Sequence, residues 1–214
     1  MISHKLVYRI SFVVLIIIYG VGLVGFLTIY RNIMIQLTPV TLLLSWLLVM
    51  LNHREWNRFF VLFMLSIMMG GFIAEVLGVE TGLIFGQYTY GKTLGAKVFN
   101  VPLIIGVNWF ILVYSSGMIT NLIKANWYWK ALFGALLMVL LDMSLEPVAT
   151  AYDFWTWQNN VIPVQNYISW FILSFMFHGI FQNLKLRSIN RFAIVLFIIQ
   201  WIFFMTLSFM INLL

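Results

Sequence analysis

The sequence predicts an all-α fold: a polytopic membrane bundle of about seven transmembrane helices, with its amino end inside and its carboxyl end outside. Two features of the composition support this prediction, since 63% of the 214 residues are hydrophobic and only 8% are charged. Soluble domains contain about 45–50% apolar and about 25% charged residues, and a chain of this length has too little interior for such an excess. A third feature, the distribution of Lys and Arg, indicates the orientation.

Seven apolar stretches are long enough, or nearly long enough, to cross a hydrocarbon core, which requires about 20 helical residues. In chain order they lie at 7–29, 37–51, 59–78, 102–123, 131–150, 168–184 and 192–213. The second stretch is the shortest. Backbone polar groups in lipid must be satisfied within the chain, so each stretch is predicted to be a helix. Since no soluble domain, low-complexity tract or internal repeat is visible, we expect one integral membrane domain over 1–214.

The basic residues are distributed unequally between the two sides of this bundle. Three of the twelve, Arg31, Lys92 and Lys97, fall on one side. The other nine fall at the amino end and in the second, fourth and sixth loops: Lys5, Arg9, Arg54, Arg58, Lys124, Lys130, Lys185, Arg187 and Arg191. The positive-inside rule therefore places the amino end in the cytoplasm. The net charge of +6 is explained by this orientation, and no nucleic-acid partner is expected.

The composition also excludes several chemistries. The absence of cysteine excludes disulfide frameworks, iron–sulfur centres and thiolate metal sites. His4, His53 and His178 have no metal-ligand spacing, so no metal site is predicted. All six lysines lie at helix ends or in loops, which excludes a retinal protein with a mid-helix Schiff base.

Three acidic residues fall within the predicted spans. Asp142 and Glu146 are four residues apart and share one helical face, and Glu75 lies near the outer end of the third helix. An ionised acid in mid-membrane costs roughly 2.5–3.5 kcal/mol, so such residues usually face an interior and have a function. With Asn108 and Asn166, they predict polar stripes that converge below the two longer outer loops, 79–101 and 151–167.

Neighbouring carboxyls in a medium of low dielectric constant do not both ionise, so the Asp142/Glu146 pair is expected to retain one proton. A neutral carboxylic acid beside a carboxylate is able to donate a proton and to stabilise a cation. Tyr and Trp side chains of the outer loops add electron-rich faces, and a desolvated cation–π contact contributes about 2 kcal/mol or more.

Three segments carry a resemblance to a known family. They read GGFIAEVLGVETGLIFGQYTYGKTLGAKVFNVPLIIGVNW at 70–109, LLDMSLEPVATAYDFWTW at 140–157 and IPVQNYISWF at 162–171. They resemble the carotenoid biosynthesis membrane-protein family, which includes hydratases of the carotenoid 1′-hydratase and bisanhydrobacterioruberin hydratase type. The resemblance covers about 60–175 and includes an Asp-x-x-x-acid-Pro element, here Asp142 to Pro147. Hydratases of the family often carry Asp where this chain has Glu146.

The resemblance implies an enzyme of the inner membrane that hydrates a terminal isoprenoid double bond of an acyclic or monocyclic carotenoid. A neutral carboxyl would protonate the less substituted alkene carbon, and water would capture the tertiary carbocation. No cofactor, metal or redox change is required. The expected partners are the lipid-soluble carotenoid and the bilayer, and association with other carotenoid enzymes is compatible with this role.

The same resemblance implies roles for particular residues. Asp142 or Glu146 would be the proton donor, and Glu75 would tune or orient it. Tyr88, Trp109 and Trp155 would stabilise the cation, whereas Asn108 and Asn166 would position water. The full set of expected substrate contacts is Tyr88, Tyr90, Asn108, Trp109, Asp153, Trp155, Asn166 and Trp170.

Other interpretations remain open at this stage. A carotenoid cyclase would also begin by protonating an end group, and a non-catalytic carotenoid-binding or transport protein would need no proton donor. The Asp142/Glu146 pair would then have a purely structural role, tying helices together. For Trp155 and Trp157 an interfacial aromatic belt is the default interpretation.

Overall fold

The computed structural model describes residues 3–213, which form the predicted all-α helical bundle. Its helices are α1 (His4–Phe26), α2 (Arg31–Leu51), α3 (Arg58–Thr81), α4 (Ile104–Thr120), α5 (Trp127–Ala151), α6 (Val164–Asn183) and α7 (Arg191–Leu213). Each helix overlaps one predicted apolar stretch, so their number and order are confirmed. Five of them, namely α1, α2, α3, α5 and α7, are long and apolar enough to cross a membrane.

The largest difference from the predicted boundaries is in α2, which begins at Arg31 rather than at residue 37. The helix continues through Pro39, whose missing N–H removes one helical hydrogen bond. Membrane helices tolerate an internal proline when neighbouring groups satisfy the freed backbone. The second span is therefore 21 residues long, enough to cross the hydrocarbon core.

The shortest helix, α4, lies at the centre of the bundle. It has 17 residues, of which 13 are buried, and it packs against α2, α3, α5, α6 and α7. By contrast, α1 and α2 expose long rows of apolar side chains, as expected of helices that face lipid. The bundle thus surrounds α4 with helices whose outer faces are apolar.

Two glycines allow α3 and α4 to approach closely. A Cβ atom at Gly71 would lie 2.4 Å from Cγ of Trp109, and one at Gly106 would lie 2.6 Å from the carbonyl oxygen of Met68. Real Cβ atoms do not approach other heavy atoms so closely, so any larger residue would separate the helices. This close packing brings the indole of Trp109 onto the face of α3 that carries Glu75.

The two longer connections contain short strands that the sequence analysis did not predict. Strand β1 (Tyr88–Tyr90) pairs antiparallel with β4 (Trp155–Trp157), and β2 (Lys97–Val98) pairs antiparallel with β3 (Val101–Pro102). Segments of two or three residues are too short to show a periodic pattern of their own. The β1–β4 pairing joins the α3–α4 and α5–α6 connections across one end of the bundle.

The opposite end carries the nine basic residues and is closed by contacts between its connections. Asn52 donates a hydrogen bond to Ser11 Oγ at 2.9 Å, and Asn190 donates one to the carbonyl oxygen of Val49 at 3.1 Å. Which end faces the cytoplasm stays a prediction from the positive-inside rule.

Candidate active site

The buried Glu75 carboxyl of α3 accepts three hydrogen bonds. Its Oε2 accepts from the hydroxyl of Tyr88 at 2.5 Å and from that of Tyr90 at 2.8 Å, and its Oε1 accepts from Nε1 of Trp109 at 3.0 Å. Both oxygens therefore have partners, and the carboxyl is held from two directions by a loop strand and by α4.

The second acidic group consists of Asp142 and Glu146, one turn apart on α5 and at most 1% exposed. Glu146 Oε2 accepts hydrogen bonds from Nε1 of Trp155 at 3.0 Å and from Nε1 of Trp157 at 2.7 Å. The side-chain amide of Asn166 on α6 donates to Glu146 Oε1 at 3.1 Å and to Asp142 Oδ2 at 2.9 Å. One asparagine thus bridges the two acids with its two N–H groups.

A single carboxyl oxygen of these three acids stands apart from the others. Asp142 Oδ1 is buried and has no hydrogen-bond partner among residues 3–213. Glu75 and Glu146 each accept three hydrogen bonds, which stabilise a carboxylate, whereas Asp142 accepts one. A buried polar atom without a partner is costly in a folded protein, and this distinguishes Asp142 Oδ1 from the other carboxyl oxygens of the cluster.

The β1–β4 ladder provides the aromatic donors to both glutamates. Tyr88 lies opposite Trp157 in the ladder and Tyr90 lies opposite Trp155, with ring centroids 5.0 and 6.0 Å apart. Side chains alternate along a strand, so these four point to one face, into the bundle. The two tyrosines hold Glu75 and the two tryptophans hold Glu146, so the ladder links the two acidic groups.

Both tyrosines remain neutral donors in this environment. Burial, and then the adjacent Glu75 carboxyl, raises the pKa of the Tyr90 hydroxyl well above its usual value. The same two causes raise the pKa of Tyr88.

A pair of stacked indoles lies next to the acids. The rings of Trp109 on α4 and Trp170 on α6 are 4.4 Å apart at an angle of 21°, and Phe177 packs edge-on against Trp109 at 5.7 Å. Asn166 and Trp170 share the buried face of α6. Aromatic rings therefore lie beside the acids both among the helices and in the β1–β4 ladder.

A cleft of about 400 Å³ opens beside the ladder at this end of the bundle. Tyr88 and Trp157 line it together with polar side chains, among them Glu80, Gln87 and Thr156. Tyr88 and Trp157 are also direct hydrogen-bond donors to Glu75 and Glu146. The cleft therefore borders two of the residues that contact the buried acids.

Two of the sequence-predicted contact residues lie outside this cluster. Asp153 is exposed in a turn with φ of 56°, where its carboxylate accepts a hydrogen bond from the backbone N–H of Lys92 at 3.2 Å. Asn108 is half-buried, and among residues 3–213 it makes no side-chain hydrogen bond to the three acids. The structure does bring together the other predicted residues: Glu75, Tyr88, Tyr90, Trp109, Asp142, Glu146, Trp155, Asn166 and Trp170.

Trp157 belongs to the site although it was not among the sequence-predicted site residues, and the belt interpretation of Trp155 and Trp157 was wrong. Both side chains are buried, and both indoles donate to Glu146. Tyr-x-Tyr at 88–90 and Trp-x-Trp at 155–157 have the alternation of a strand, but three residues are too few to identify one from the sequence.

Within the part of the chain that the structure describes, no three His, Asp or Glu side chains are grouped so that they could hold a metal ion. The arrangement instead combines one carboxyl oxygen without a partner, two carboxyls stabilised by hydrogen bonds, and aromatic rings around them. Such a site is equipped to donate a proton and to stabilise a positive charge.

Comparison with known proteins agrees with the resemblance drawn from the sequence. A family model described as "Carotenoid biosynthesis protein" matches residues 31–214. A bisanhydrobacterioruberin hydratase of Haloarcula japonica is 32% identical over 106 residues, which cover 46% of this chain and 36% of the relative. The match thus spans little more than a third of the relative's length. No solved structure matches the chain.

Proposed function

Because the chain belongs to the carotenoid biosynthesis protein family, we propose that it hydrates a terminal isoprenoid double bond of an acyclic or monocyclic carotenoid. The observation that carries this proposal is the Asp142 Oδ1 atom, buried and without a partner in the described chain, within a cluster of aromatic rings. A hydratase among the relatives supports the same reaction class. We further propose the cell inner membrane as its location.

In this proposal Asp142 is the proton donor. Glu75 and Glu146 each accept three hydrogen bonds, which favour the ionised form, whereas Asp142 accepts one, so Asp142 is the acid of the three that keeps its proton most readily. Asp142 then carries the proton on Oδ1. The alkene π pair takes this proton at the less substituted carbon, which leaves the Asp142 carboxylate and a tertiary cation at the dimethyl-bearing carbon.

The surroundings of the acid suit a cationic intermediate. Glu146, one turn from Asp142 on α5, is proposed to supply negative charge, and the indoles of Trp109, Trp155 and Trp170 are candidates to supply electron-rich faces. A desolvated cation–π contact contributes about 2 kcal/mol or more. Stabilising charge as it develops is the main way in which a fixed site lowers a barrier.

Water completes the reaction in this scheme. A lone pair of the water oxygen forms the new C–O bond, and the proton that this oxygen then releases returns to the Asp142 carboxylate. The net change is the addition of one water, with Asp142 restored and no cofactor or electron transfer required. The polar cleft that reaches Tyr88 and Trp157 supports entry of this water from the ladder end of the bundle.

The experiment that tests this function is mass analysis of pigments. The chain is expressed in a bacterial host that accumulates lycopene or γ-carotene, with a host lacking the chain as the control. We expect a product heavier by the mass of one water. An isomer of unchanged mass and altered chromatographic retention would establish a cyclase instead. If both lycopene and γ-carotene remain unchanged, a catalytic role toward these two pigments would be contradicted.

The water route makes its own prediction. Thr156 lies on the exposed face of β4 and lines the cleft, so Thr156→Trp is expected to narrow the cleft without contacting the acids. A cation deprived of water loses a proton instead, so the ratio of hydrated to double-bond-shifted product should fall severalfold. The control is Val161→Trp, at a 65% exposed position of the same connection but outside this cleft. An unchanged ratio in Thr156→Trp would exclude the cleft as the source of water.

A further inference from the structure

A second cavity lies at the end of the bundle opposite the acids. It is an open cavity of about 800 Å³, bordered by the start of α1, the α2–α3 connection, the α6–α7 connection and the start of α7. Four basic side chains line it, namely Lys5, Arg9, Arg54 and Arg191, together with His4. Among the described residues that line it, none is Asp or Glu. Three separate chain segments thus bring positive charge to one cavity.

The acid of the α2–α3 connection is already engaged elsewhere. Glu55 accepts hydrogen bonds from the backbone N–H of Arg187 at 2.8 Å, from the hydroxyl of Ser188 at 2.7 Å, and from the backbone N–H of Ser188. Burial acts to raise the pKa of Glu55, but these hydrogen bonds outweigh it and lower the pKa below its usual value. Its carboxylate is therefore bound by the α6–α7 connection, whose Ser188 lines the cavity, while Glu55 itself is not among the lining residues.

Two helix N-termini add partial positive charge to the same cavity. Helices α1 and α7, each of 23 residues, begin at His4 and Arg191, which both line it. The aligned peptide dipoles place about half a positive charge at each N-terminus, which favours a bound anion. The helix dipoles and the four basic side chains therefore both favour an anionic ligand.

The surroundings of the cavity are apolar on the side toward the membrane. Tyr8 and Phe192 line the cavity, and the adjoining face of α1 exposes Leu6, Ile10 and Val13, which are 48–55% exposed. A ligand with an anionic head and hydrocarbon chains would match both features. Basic cavities between membrane helices are a recurring binding site for anionic lipid headgroups.

We propose that this cavity binds the phosphate group of an anionic membrane phospholipid, whose acyl chains lie along the apolar face of α1. This site is separate from the carboxyl cluster and does not depend on the proposed hydration reaction. The lipid would connect α1, α7 and the α2–α3 connection by ionic contacts at a single headgroup.

The test uses the full chain purified in a neutral detergent. Native mass spectrometry measures binding of phosphatidylglycerol, with phosphatidylcholine of the same acyl chains and inorganic phosphate as comparisons. We expect phosphatidylglycerol to be retained, phosphatidylcholine to bind much more weakly, and phosphate alone not to displace the lipid. Equal retention of both lipids, or displacement by phosphate at comparable concentration, would overturn the proposal of an anionic lipid site.

A matched pair of double variants separates this cavity from general surface charge. Arg54→Gln with Arg191→Gln removes two cavity charges and is expected to weaken phosphatidylglycerol binding at least about tenfold. Lys124→Gln with Lys130→Gln removes two charges from the same end of the bundle but outside the cavity. Similar weakening in both double variants would show that the lipid follows net charge alone. Thermal midpoints of the lipid-free proteins identify any variant that fails to fold.

Discussion

Replacing Asp142 with Asn is expected to lower the yield of hydrated carotenoid at least about 100-fold, the lower range for loss of a general acid. The amide has nearly the size of the carboxyl, and its oxygen is able to accept the hydrogen bond that Asn166 donates at 2.9 Å. Its NH2 group would then occupy the place of Oδ1, and an amide does not protonate an alkene. The measurement is the ratio of hydrated to unreacted pigment at equal amounts of membrane-inserted protein.

The matched control is Asp153→Asn, the same exchange at an exposed acid near the same end of the bundle. Asn tolerates the left-handed backbone at this position, where φ is 56°, and its amide oxygen is able to accept from the N–H of Lys92. We expect Asp153→Asn to give the same yield of hydrated carotenoid as the unsubstituted chain. Equal loss in both variants would indicate a structural effect, whereas full activity of Asp142→Asn would exclude Asp142 as the proton donor.

Replacing Glu146 with Gln is expected to lower both the yield of hydrated product and the thermal midpoint of the protein. All three partners of Glu146 are N–H donors: the indoles of Trp155 and Trp157 and the amide of Asn166. If the oxygen of a glutamine accepts from the two indoles, its NH2 group faces the NH2 group of Asn166. Two donors then meet with no acceptor between them. Leaving a buried donor without an acceptor costs about 1–3 kcal/mol, which lowers the midpoint. The yield should fall about tenfold or more, because a glutamine lacks the negative charge that would stabilise the cation.

The comparison that isolates this effect is Glu75→Gln, measured by thermal midpoint. Glu75 also accepts three hydrogen bonds, but two of its donors are the hydroxyls of Tyr88 and Tyr90. A hydroxyl is able to accept as well as donate, so a glutamine at 75 finds partners for its NH2 group and its oxygen. The midpoint should therefore fall less in Glu75→Gln than in Glu146→Gln. The reverse order would contradict the hydrogen-bond pattern assigned to Glu146.

The arrangement of donors also explains why two distant loops are needed for one site. Tyr88 and Tyr90 lie in the α3–α4 connection, and Trp155 and Trp157 lie in the α5–α6 connection. Their pairing in one ladder fixes the distance between the groups that hold Glu75 and Glu146. A change that separates the strands would release both glutamates together, so the ladder positions the acids as a unit.

The membrane bundle and its seven helices followed from the sequence alone. Hydrophobic length and low charge are local properties, and a span of about 20 apolar residues has few alternatives to a helix in lipid. The convergence of Glu75, Asp142, Glu146 and Asn166 was also predictable. Helical spacing assigns each to a face, and polar groups in a membrane avoid lipid.

The tertiary structure decided how those groups are connected. Two of the three partners of Glu146 come from a strand whose own sequence is too short to reveal it, and the pairing of that strand joins residues far apart in the chain. That pairing turned Trp155 and Trp157 inward to the acid, and a turn directed Asp153 to a backbone N–H at the surface. In the tertiary structure, one oxygen of the three acids, Asp142 Oδ1, has no partner in the described chain. Burial is set by local composition, but hydrogen-bond partners depend on which segments meet in space.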